Sequence, residues 1–90
     1  MNIVSYFRDK KEEKKFKNMV VFMAMLHEKQ KIVEEIHELE DKRDERIRKF
    51  NEKYPFLSAD HIEDVYDRRI KDLRFEYEVL TKEQARYMNN

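Results

Sequence analysis

Apolar side chains recur along this chain in steps of three and four. Met19, Leu26, Val33, Ile47 and Tyr54 share one heptad position, and Phe22, Ile36, Phe50 and Leu57 share the position three residues on. Ile32 and Leu39 widen this seam, while Lys29, Glu40 and Arg43 interrupt it. A repeat of 3.5 residues predicts helices lying side by side, as in a coiled coil. The chain has no Gly, and its single Pro is Pro55. One helix of about 65 Å is therefore predicted from about residue 9 to 53, with Asp9 and Glu12 forming a D-x-x-E capping box at its start. Tyr54, ahead of Pro55, is pushed out of the helical region. Ser58 or Asp60 then caps a second helix over about residues 60–88, where Asp60 and Glu63 repeat the box. Its stripe is Ile62, Val65, Tyr66, Ile70, Leu73, Tyr77 and Leu80, continued by Tyr87 and Met88. Arg74 to Val79 alternates with period two, a strand pattern whose one available partner is Ile3 to Phe7. The absence of turn residues around that segment favours helix.

The expected fold is all-α: an elongated antiparallel helical hairpin, completed as a helical bundle by dimerisation. Residues 1–90 form one helical domain, with 1–8 as a flexible N-terminal segment. Folding the chain at Pro55 brings Val33 to Leu80, Leu39 to Phe75 and Leu26 to Met88. The same fold sets Glu40 opposite Arg74 and Arg43 opposite Asp72, so polar interruptions meet opposite charges. Phe56 and Leu57 are expected to plug the end of the bundle. Met88 reaches only to Leu26, which leaves Met19 to Met25 as an overhang.

Composition sharpens this picture. Charged residues make up 44% of the chain, yet 12% is aromatic, more than a disordered polyampholyte carries. Twenty basic and twenty acidic side chains cancel, so no net charge draws the chain to nucleic acid or an anionic membrane. With no Cys there is neither a disulfide framework nor a thiolate metal site, which is compatible with a reducing, cytoplasmic location. The run Met19 to Leu26 is far shorter than the ~20 residues that span a bilayer and is followed by charged residues rather than a cleavage site. Abundant Lys, Asn, Ile, Tyr, Phe and Met, with scarce Gly, Ala and Pro, follow AT-rich codons of the kind found in mobile elements.

Candidate chemistry is thin. Glu34-x-x-His37 has the ligand spacing of di-iron bundles, but no second such pair exists in the chain and both residues flank the seam. His27 and His61 have no Ser, Cys or paired carboxylate at a spacing that builds a nucleophile and base. Neither a catalytic residue nor a metal ligand nor a cofactor is expected. Lys10, Lys11, Lys14, Lys15 and Lys17 form a basic arm within residues 8–17 that would suit phosphates. The interleaved Asp9, Glu12 and Glu13 favour ion pairs on a solvated helix instead.

These readings point to a non-enzymatic structural or protein-interaction module. It self-associates as a homodimer through the overhang, using Met19, Val20, Phe22, Met23 and Leu26, with Phe75 and Val79 joining. One alternative is a small inhibitor, of phage or mobile-element origin, covering a surface on a larger host protein. The other is a DNA-associated factor using the basic arm.

Overall fold

The computed structural model describes residues 10–88. Within them the chain forms two helices, α1 (Lys10–Lys53) and α2 (Asp60–Ala85), packed against each other as an antiparallel hairpin. The 44 residues of α1 contain no Gly or Pro and are rich in Lys and Glu, which lose little rotamer freedom in a helix. The stretch Arg74 to Val79 lies inside α2. Its alternation is outweighed by Leu73, Tyr77 and Leu80, whose spacing keeps one helical face against α1. Asp9 and the segment Ile3 to Phe7 lie outside the described residues.

Pro55 ends α1. The N–H of Tyr54 still donates to the Phe50 carbonyl at 2.7 Å, and the N–H of Leu57 then donates to the Tyr54 carbonyl at 3.1 Å. Pro55 thus occupies the second position of a tight turn, where its fixed φ is favourable. Neither expected capping residue acts as N-cap: Ala59 does, with no side-chain bond, because α2 already begins at Asp60. Ser58 instead accepts the Asp60 N–H at 3.2 Å. Asp60 and Glu63 still place negative charge in the first turn, where the helix dipole favours it. Beyond Ala85, the N–H groups of Arg86, Tyr87 and Met88 donate to carbonyls three residues back, carrying the turn to Met88.

The core is Ile32 and Ile36 of α1 against Ile70 and Leu73 of α2, flanked by Leu39, Tyr77 and Leu80. Seating these four side chains fixes both the rotation of α1 and the register. The face of α1 turned to α2 runs Phe22, Met25, Lys29, Ile32, Ile36, Leu39, Arg43 and Phe50, all buried or half-buried. Met19, Leu26 and Val33, expected on the seam, lie to one side and are exposed. The facing line on α2 is Ile62, Tyr66, Ile70, Leu73, Tyr77, Leu80 and Gln84, continued past its end by Tyr87; Val65 is 64% exposed and drops out.

The expected pairs change accordingly. Arg43 Nη1 donates to Asp67 at 2.7 Å rather than meeting Asp72, and Arg69 pairs with Glu35 at 3.3 Å. No ion pair joins Glu40 to Arg74. Leu80 and Phe75 lie beside Ile32 rather than Val33 and Leu39. Tyr87 and Met88 reach past Leu26 to Met19 and Phe22, so the overhang is shorter than the sequence pattern implies. Phe56 does not plug the bundle: it projects from the turn tip, 97% exposed, with Leu57 also exposed. The end is closed by Phe50, whose ring meets His61 edge-on at 4.9 Å and Tyr54 at 5.2 Å.

Candidate interaction surface

α1 carries a second apolar line beside the one that packs on α2. Met19, Met23, Leu26, Gln30 and Val33 follow the same three-and-four spacing and are all exposed. At ~100° per residue this line lies about a third of a turn from the first. Met19 and Met23 are more than half exposed, and Val20 beside them is half exposed. α2 packs on the other face of α1 and meets this one only along its edge. Phe22 differs from its neighbours: it is half-buried, and its carbonyl accepts a hydrogen bond from Gln84 Nε2 at 3.3 Å.

Two shallow hollows follow the junction of the exposed line with α2. One is lined by Lys15, Asn18, Met19, Phe22, Tyr87 and Met88. The other is lined by Leu26, Lys29, Gln30, Val33, Glu34 and Tyr77. Phe75 and Val79 are exposed too, but they share a separate hollow with Glu28, Ile32, Glu76 and Leu80. The helical positions of Glu28 and Ile32 put that hollow on the other side of the hairpin. The structure therefore brings Met19, Val20, Met23 and Leu26 together and sets Phe75 and Val79 apart.

A polar node escaped the sequence reading. Gln84 is buried, donates to the Phe22 carbonyl, and accepts from Lys29 Nζ at 3.0 Å. The same ammonium lies 4.8 Å from the centre of the Tyr77 ring. Lys29, an interruption in an apolar repeat, is thus held between an amide oxygen and an aromatic face. The available signal was spacing: Leu73, Tyr77, Leu80, Gln84 and Tyr87 continue one heptad line.

Electrostatics elsewhere is surface pairing. The hydrogen bond to Asp67, reinforced by Asp44, outweighs desolvation and raises the pKa of Arg43. Hydrogen bonding from Arg48 holds the Glu45 carboxyl below its ordinary range, and Glu45 in turn raises Arg48. In the basic arm Lys17 pairs with Glu13 at 3.2 Å, while Lys11, Lys14 and Lys15 are exposed; the Lys10 side chain lies outside the described residues. Glu34, His37 and His27 are exposed, and no group of three or more His, Cys, Asp or Glu gathers among the described residues. No helix among them is long and apolar enough to cross a membrane. No protein-family model, curated protein or solved structure matches the chain.

Proposed function

We propose that this chain is a non-catalytic interaction module that self-associates through the exposed apolar line of α1. The observation that carries this reading is the cluster of Met19, Val20, Met23 and Leu26. It lies on a helix whose neighbouring face is already packed, and among the described residues these side chains stay exposed. Full burial of each such side chain gains about 1.5–3 kcal/mol, and contiguous apolar surface of this kind marks interfaces on soluble proteins. Met adds adaptability, since its unbranched thioether chain fills irregular gaps.

Met19→Glu combined with Met23→Glu tests the reading without touching the hairpin core. Light scattering should give the mass of two or more chains for the wild type and of one chain for the variant. Circular dichroism should show both equally helical. A wild-type monomer that binds an apolar dye strongly would favour the inhibitor alternative, in which the same line contacts a larger host protein. The DNA reading has less support, because Glu12 and Glu13 dilute the arm and Lys17 is taken up by Glu13.

A further inference from the structure

Resting on that self-association, we infer that two copies pair their α1 helices antiparallel, crossing between Met23 and Leu26. The exposed line is nearly symmetric about that point. In an antiparallel pairing Met23 of one copy packs against Leu26 of the other, and Met19 packs against Gln30. Both contacts then occur twice, as the two-fold axis of an isologous interface requires.

Charge selects this direction over the parallel one. Lys10 to Lys17 holds five lysines and two glutamates, and Glu34 to Asp41 holds five acids with no lysine or arginine. Antiparallel pairing about Met23 and Leu26 lays the basic arm of each copy alongside the acidic stretch of the other. Parallel pairing lays lysines on lysines and acids on acids. Within one hairpin Glu35 pairs with Arg69, while Glu34, Glu38 and Asp41 make no ion pair among the described residues; Lys14 and Lys15 make none either. Complementary patches set orientation and penalise the wrong one more than they add affinity. The two α2 helices lie on the same side of the α1 pair in this arrangement, because the two-fold axis is perpendicular to both α1 helices and each α1 presents its two apolar lines about a third of a turn apart. The basic arm serves as an orienting clamp.

Two sets of variants test the direction. Oxidation of a mixture of Met19→Cys chains and Gln30→Cys chains should yield mostly the mixed disulfide, since the chain has no other cysteine. Lys14→Glu with Lys15→Glu should weaken the dimer about tenfold in low salt, an effect that shrinks as salt rises. Adding Glu34→Lys and Glu38→Lys to that chain should restore most of the affinity. Like-with-like disulfides, or a dimer tightened by reversing the arm, would overturn the antiparallel pairing and leave self-association standing. A wild-type chain that is monomeric in sedimentation would instead overturn the underlying reading.

Discussion

Gln84 shows how one side chain can fix what apolar packing leaves loose. Aliphatic contacts between two long helices tolerate sliding, whereas a buried amide must find its partners at one level. Gln84 finds the Phe22 carbonyl and the Lys29 ammonium. Its replacement leaves the ammonium without that acceptor and removes the only side-chain link from α2 to the α1 backbone among the described residues. Gln84→Ala should lower unfolding stability by about 1–2 kcal/mol, measured by urea denaturation. Lys29→Met tests whether the charge matters: Met keeps most of the contact with Tyr77 but cannot donate. A Gln84→Ala chain as stable as the wild type would show that the node is incidental.

At the scale of the helices, the spacing of apolar residues and the position of Pro55 made both helices and their antiparallel packing legible in the sequence. The bend is legible because proline acts locally, through its own ring and the residue before it. Rotation and register were not legible. α1 has two apolar lines of similar strength, and only the seating of Ile32 and Ile36 against Ile70 and Leu73 decides which one faces α2. The displaced register follows from that choice, as does the shift of Arg43 from the expected Asp72 to Asp67. Phe56 departs from its expected place for a related reason: apolarity says that a side chain prefers burial, but a four-residue turn with Pro55 at its second position points the next side chain outward. A double-mutant cycle on Arg43→Ala and Asp67→Ala should show coupling of ~0.5–1 kcal/mol in thermal or urea unfolding, and a cycle on Glu40 and Arg74 should show none. The reverse pattern would restore the register predicted from heptad counting.

The whole molecule is long and thin. Its radius of gyration is 21.1 Å, against the ~12 Å expected of a compact chain of this length. A single pair of helices gives one layer, with one strip of core and an exposed back to each helix. Small chains of this kind commonly gain stability by assembly. The exposed line on α1 supplies the surface for it, and the opposite charge of the two halves of that helix supplies an orientation. Part of the exposed line was legible in the sequence as the run Met19 to Leu26. Its extent was not, because Phe22 and Met25 turn toward α2 while Val33 joins the exposed side. Sedimentation equilibrium of the wild-type chain across the micromolar range measures that association. The mass should rise reversibly from one chain to two with concentration. A mass of one chain at every concentration would rule out self-association through this line.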